Sequence, residues 1–237
     1  MFGVHRPLPD VAVLPPSVDL SEECSPVDNQ GRLGACTAHA IRAALEFDQL
    51  KQGLTLVRPS RLMIYYNERA MEGTTRTDSG AMIRDGIKTV AAQGACDEND
   101  WPYIISKFTR KPPASCYALA LHHRATSYQA VAQDLTQLKA CLAAGFPFVF
   151  GFSVYESFET AEVARTGDAP MPSGRLLGGH AVLAVGYDDA TQRFKIKNSW
   201  GVDWGAQGYF TLPYAYLTTT GRRSLAADFW AINTVST

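Results

Sequence analysis

From Thr37 onward, apolar residues recur at helical spacing. In "TAHAIRAALEFDQLKQG", Ile41, Ala44, Leu45 and Asp48 fall on one side, and Gly53 follows as a stop. "SRLMIYYNERAMEG", just after Pro59, predicts a second helix with Ser60 as its cap. "AMIRDGIKTVAAQG" predicts a third, with Ile83, Ile87 and Val90 on one face and Gly94 at its end. The pattern lapses through "WPYIISKFTRKPPASC", which reads as a long loop. One more helix, "AQDLTQLKACLAAG", carries Leu135, Leu138, Cys141 and Leu142 on a single side. After it the runs become β-type: "FPFVFGFSV", "HAVLAVGYDD", "RFKIKNSW", "GYFTLPY" and "FWAINTV". Helices first and strands second predict an α+β arrangement or two lobes. Residues 1 to 16 are Pro-rich and aperiodic, and read as an extended arm.

Composition narrows this picture. With 237 residues, 46% of them hydrophobic, the chain can bury a substantial core. A net charge of -1 gives no electrostatic reason to expect nucleic acid or an anionic membrane as partner. No apolar run approaches the roughly 20 residues of a membrane span, and prolines interrupt the opening before it reaches signal-peptide length. The expected location is cytoplasmic, or secreted without a recognisable signal peptide. The five cysteines, at 24, 36, 96, 116 and 141, are odd in number, so they cannot all pair within one chain. No C-x-x-C occurs, and the adjacent His122 and His123 point apart on a helix, so no metal is expected. Nothing implies a cofactor either.

One cysteine stands out by its surroundings. Cys36 follows "NQGRLGA" and opens the first predicted helix. At a helix N-terminus, beside an imidazolium, a thiol becomes a thiolate. Gly34 and Ala35 leave its approach open, and Gln30 offers an amide donor for an oxyanion. A small core residue is the plainer alternative for Cys36 taken alone. Two later segments supply what a thiol nucleophile needs. "GGHAVLAVGYDD" sets His180 at the head of an apolar strand, a base for the thiol. "KNSWGVDWGAQGYF" supplies Asn198 to orient the imidazole and Trp200 to cover the Asn–His hydrogen bond.

These segments resemble the papain-like cysteine peptidases, over nearly the whole chain from about Pro16. "PVDNQGRLGAC" is similar to the family's segment leading to the catalytic Cys, "GGHAVLAVGYDD" to its His strand, and "KNSWGVDWGAQGYF" to its Asn-Ser-Trp-Gly segment. The Cys-to-His interval, 180 − 36 = 144, agrees with the roughly 130–150 residues expected. The resemblance implies an α+β, papain-like two-lobed fold: a helical N-terminal lobe, a β-barrel-like C-terminal lobe and an active-site cleft between them. Residues 1–15 would be an extension, 16–125 the helical lobe with the nucleophile helix, and 126–237 the β-rich lobe with His and Asn.

Carried over residue by residue, it implies Cys36 as nucleophile, His180 as base and later acid, and Asn198 as the group orienting the imidazole. Gln30 and the Cys36 backbone N–H would form the oxyanion hole. Gly80 would pair its backbone with an extended peptide. Ala81, Met82, Gly151 and Gly179 would line a roomy apolar pocket for the second residue before the scissile bond. The activity implied is a cysteine endopeptidase acting on peptide or protein substrates, as a monomer. A non-catalytic peptide-binding module on the same fold, or a transamidase or exopeptidase variant, is the alternative.

The chain also departs from the family. Leu33 stands where a half-cystine normally pins the nucleophile loop, and the glycine turn near Ser79 lacks its partner cysteine. Thr37 replaces a tryptophan. The missing disulfides fit a reducing compartment or a bacterial branch of the family. Cys96 and Cys116, flanking the "WPY" loop, could pair or stay free thiols. The arm at 1 to 14 is too short for a folded prosegment, and would be a surface tether or a short plug of the cleft.

Overall fold

The computed structural model describes residues 13–236; the arm expected over 1 to 14 falls almost wholly outside them. Seven helices are described: α1 (Cys36–Lys51), α2 (Arg61–Met71), α3 (Ile83–Ala92), α4 (Ala114–Ala120), α5 (Leu135–Ala143), α6 (Ala161–Thr166) and α7 (Tyr214–Thr218). Seven strands accompany them: β1 (Ser17–Asp19), β2 (Ala125–Ala130), β3 (Phe148–Tyr155), β4 (Leu176–Asp188), β5 (Arg193–Lys197), β6 (Tyr209–Pro213) and β7 (Ala226–Val235).

Each helix expected from periodicity is present. Ser60 caps α2, its Oγ accepting the Met63 N–H at 3.2 Å. Gly94, after α3, has φ of +73°, and a Cβ there would meet the Ala120 carbonyl oxygen at 1.8 Å, so only glycine fits. The long loop "WPYIISKFTRKPPASC" differs from expectation only at its end, where Ala114, Ser115 and Cys116 open α4. That helix is seven residues long, too short to display a period.

The strands form one antiparallel sheet in the order β2-β7-β3-β4-β5-β6, with β1 added beside β4. The end strands β2 and β6 do not pair with one another among the described residues, so the barrel-like lobe is an open sheet. Although β1 lies early in the chain, it joins this sheet: Ser17 pairs with Asp188 and Asp19 with Gly186.

The first helix is buried nearly all round, polar residues included; Arg42, Glu46 and Asp48 are each 0–1% exposed. One apolar face would not require this. The cause is tertiary: α1 packs against β4 and β7 on one side and α2 and α3 on the other. Two of these buried charges, Arg42 and Glu46, are paired. Arg42 Nε donates to Glu46 Oε1 at 2.7 Å, and Glu98 and Asp28 also meet Arg42. Ser25 links the layers, donating to Glu46 and accepting from Lys197 Nζ on β5 at 3.0 Å.

Candidate active site

Cys36 is the first residue of α1, and no side chain caps that helix start. The backbone of Ala181, one residue past His180 on β4, favours the charged form of the Cys36 sulfur. Burial nevertheless pushes the thiol above its ordinary range, and the nearby Glu68 carboxyl adds to the rise.

His180 is buried, 6% exposed. Its Nε2 lies 2.8 Å from Asn198 Oδ1, which also accepts the Ser199 N–H at 2.8 Å. Two donors on that oxygen fix the Asn198 amide with its oxygen toward the ring. The proton of a neutral imidazole therefore sits on Nε2, leaving Nδ1 as the basic nitrogen. Trp200 stacks on the imidazole, with ring centroids 4.8 Å apart and planes 29° apart. Burial lowers the His180 pKa to about 4, and the Asn198 hydrogen bond opposes that fall.

Gln30 is fixed from three sides. Its Oε1 accepts from Ser199 Oγ at 2.7 Å, its backbone N–H donates to the Ser199 carbonyl at 2.8 Å, and its own carbonyl accepts the Tyr103 hydroxyl at 2.9 Å. One amide N–H of Nε2 goes to the Leu33 carbonyl at 3.0 Å, which leaves the second free. Ser199 and Tyr103 were not singled out from sequence, though both lie in quoted motifs, "NSW" and "WPY".

Cys36 and His180 line one cleft of about 460 Å³. The four expected pocket residues, Ala81, Met82, Gly151 and Gly179, line it too, as does Gly80. The two glycines keep it wide. A Cβ on Gly151 would point at Ile83 Cδ1, 3.5 Å away across the cleft, whereas one on Gly179 meets nothing closer than 4.0 Å. The wall from β7 adds one charged group that sequence reading missed, Asp228. Its carboxylate accepts the Arg84 N–H at 3.0 Å and Trp230 Nε1 at 2.6 Å, joining β7 to the start of α3.

Gly80 differs in detail from the expectation of free backbone pairing. Its N–H donates to the Tyr65 hydroxyl at 3.2 Å, and its carbonyl accepts Ser79 Oγ at 3.1 Å. Behind the nucleophile, Thr37 donates to Glu68 Oε1 at 2.5 Å, so a buried polar pair occupies the space next to α2. All five cysteines are free; Cys96 and Cys116 are both buried, and the Cys116 thiol donates to the Asp100 carbonyl at 3.8 Å. Among the described residues, no group of three or more acidic, Cys or His side chains could hold a metal, and no helix is long and apolar enough to cross a membrane.

Comparison with known proteins agrees with this geometry. Residues 14–224 match the model of the papain family cysteine proteases. An uncharacterized peptidase C1-like protein from Acanthamoeba polyphaga mimivirus is 44% identical over 230 residues, which span 92% of this chain and 73% of the relative. The crystal structure of xylellain, a cysteine protease from Xylella fastidiosa, is similar at a TM-score of 0.90 and 45% identity, covering 98% of this chain and 91% of that one. A procathepsin B from Trypanosoma congolense shares the fold at a TM-score of 0.75 and 22% identity, over 95% of this chain and 79% of that one.

Proposed function

The chain belongs to the papain family of cysteine proteases, and on that premise we propose that it is an endopeptidase working through Cys36, His180 and Asn198. The observation that carries this reading is the hydrogen bond from His180 Nε2 to Asn198 Oδ1 at 2.8 Å, on a ring that shares one cleft with Cys36. Alone, each buried group favours its neutral form; as neighbours, they exchange one proton without changing the net charge of the site. His180 Nδ1 takes the thiol proton, and the thiolate attacks the scissile carbonyl carbon. The free N–H of Gln30 Nε2 and the Cys36 backbone N–H hold the resulting oxyanion.

The imidazolium then gives its proton to the leaving amine as the C–N bond breaks, and a thioester remains. His180 next takes a proton from water, whose oxygen attacks the thioester carbonyl. The C–S bond breaks, the acid leaves, and the proton returns to the thiolate. Trp200 keeps water from the Asn198–His180 bond.

An extended peptide would lie along the backbone at 80 and 81. Both main-chain groups of Gly80 are engaged, so Ala81, whose N–H and carbonyl bond to nothing among the described residues, offers the open pair. Beside it, Met82, Gly151 and Gly179 support a pocket that accepts aromatic or branched aliphatic side chains and refuses acidic ones, which would face Asp228. Rates on a peptide library in which acidic residues won that position would remove the pocket assignment.

The first test is intact mass after brief exposure to an epoxysuccinyl-peptide inhibitor, wild type against Cys36→Ala. A single adduct on the wild type, absent from the variant, is the expected result. An adduct that survives the substitution would move the nucleophile elsewhere.

A further inference from the structure

The loop at residues 74 to 82 joins α2 to α3 and carries the 80–81 edge. Side chains of α2 and of its C-cap residue, at i, i+4 and i+7, hold it. Arg69, fully buried, donates to the carbonyls of Thr75 at 3.1 Å, Thr77 at 2.9 Å and Phe108 at 2.6 Å. Glu72 Oε1 accepts the Met82 N–H at 2.7 Å. Tyr65, fully buried, donates its hydroxyl to Asp78 Oδ1 and accepts the Gly80 N–H at 3.2 Å.

Asp78 extends this hold to a second loop. Its two carboxylate oxygens accept the Gly34 N–H at 3.0 and 3.1 Å, two residues before Cys36. The approach is close: a Cβ on Gly34 would sit 3.0 Å from Asp78 Oδ1 and 3.6 Å from the Gly80 nitrogen. One carboxylate thus touches the loop that ends at the nucleophile and, through Tyr65, the loop that carries the substrate edge.

We propose that Asp78 is a positioning residue: with the Tyr65 hydroxyl, it holds the 80–81 edge in register with Cys36, where this chain has Leu33 and no disulfide. The proposal rests on the reading of Cys36 as nucleophile and of the 80–81 backbone as the peptide-pairing edge. Asp78 is exposed, so its bonds are screened and contribute little to global stability. Their effect is geometric, and geometry at a reacting centre is costly to lose. A thiol-disulfide buffer cannot open this tie. The phenol stays a donor throughout the working pH range, since burial and the Asp78 carboxylate raise its pKa.

The experiment compares Tyr65→Phe, Asp78→Ala and Asp78→Asn in the full chain by two readouts. Alkylation of Cys36 by iodoacetamide reports the nucleophile without a peptide; kcat and KM on a blocked dipeptidyl coumarin amide report the paired edge. Tyr65→Phe is expected to raise KM about tenfold, the value of one lost hydrogen bond, with the alkylation rate held within about twofold. Asp78→Ala is expected to lower kcat/KM about a hundredfold and to slow alkylation as well, because both loops are released. Asp78→Asn keeps an acceptor for Gly34 and should recover most of the alkylation rate.

Folded variants whose KM and alkylation rate stay within about twofold of wild type would overturn the proposal. So would a fall in both readouts that tracks a fall in Tm, which is the mark of a purely structural role. A wild type that is alkylated but turns over no peptide would instead remove the underlying peptidase reading.

Discussion

The two walls of the cleft are built on different principles. On the β side, His180 sits within β4, between hydrogen-bonded neighbours β3 and β5, with Trp200 and Phe152 packed on its ring at 4.8 and 5.8 Å. On the helical side, the 80–81 edge lies on a loop held by Tyr65, Arg69, Glu72 and Asp78. A ladder and an apolar stack resist displacement collectively, whereas each polar bond on the loop can be removed singly. On the proposed reading, the base and the group that orients it are mounted on the stiff wall, and substrate alignment depends on the adjustable one.

Substitutions should separate the walls by what they change. The largest effect belongs to His180→Ala, expected to lower kcat by about 10³–10⁴-fold with the fold intact, as loss of the general base requires. Retention of more than about a tenth of the rate would reassign the base.

Next comes the pH profile. Protonation of His180 from solvent removes the base while the thiol stays neutral, so kcat/KM should fall as pH drops through about 4. Trp200→Ala admits water to the ring, weakens the desolvation and should move this limb upward toward the ordinary histidine range. An unmoved limb would mean that Trp200 does not shield the ring.

On the same β wall, Gly151→Val fills space across the cleft toward Ile83. It should lower kcat/KM by about tenfold for bulky residues at the second position, and much less for alanine there. Equal losses for both would place that side chain elsewhere.

The smallest effect is on stability, away from the cleft walls. Both carboxylate oxygens of Asp48 on α1 are buried without a hydrogen-bond partner, and burial raises its pKa from 3.8 to about 8. Glu68, buried behind Thr37, is raised from 4.5 to about 8 for the same reason. In both cases the folded state binds the proton more tightly than the unfolded chain. Their contribution to stability is therefore fully present below pH 4 and declines as pH rises toward 8. Asp48→Asn should flatten that decline and raise Tm at pH 8 by several degrees, at about 2–4 °C per kcal/mol for a chain of this length. Scanning calorimetry at pH 5 and pH 8 checks it; an unchanged difference between the two would show that Asp48 is solvated.

The β wall was readable because its signals are local. An apolar run interrupted by one histidine, and Asn198 directly after the alternating Phe194-Lys195-Ile196-Lys197 run, are features of single segments. The same holds for α1, whose start at Cys36 follows from Gly34 and from the period beginning at Ile41. The helical wall was only half readable. Gly80, Ala81 and Met82 were named, but Asp78 and Tyr65 were not, because they act across 78 − 34 = 44 and 78 − 65 = 13 residues of chain through side-chain bonds that leave no periodicity. Asp228 was missed for the same reason: it faces the cleft from the last strand, 228 − 84 = 144 residues beyond the helix start it meets.

By itself, then, the sequence determined the elements that have a period and the residue types able to do thiol acyl transfer: Cys36 at a helix start, His180 on a strand, Asn198 just after one, Gln30 upstream. Tertiary structure decided how those groups are oriented and held. It turned the Asn198 oxygen toward the imidazole by adding the Ser199 N–H, closed α1 on all sides, and engaged the Gly80 backbone while leaving Ala81 open. The physical reason is one of range. Period and capping act within a few residues, whereas desolvation and hydrogen-bond direction depend on neighbours that only folding brings within about 3 Å.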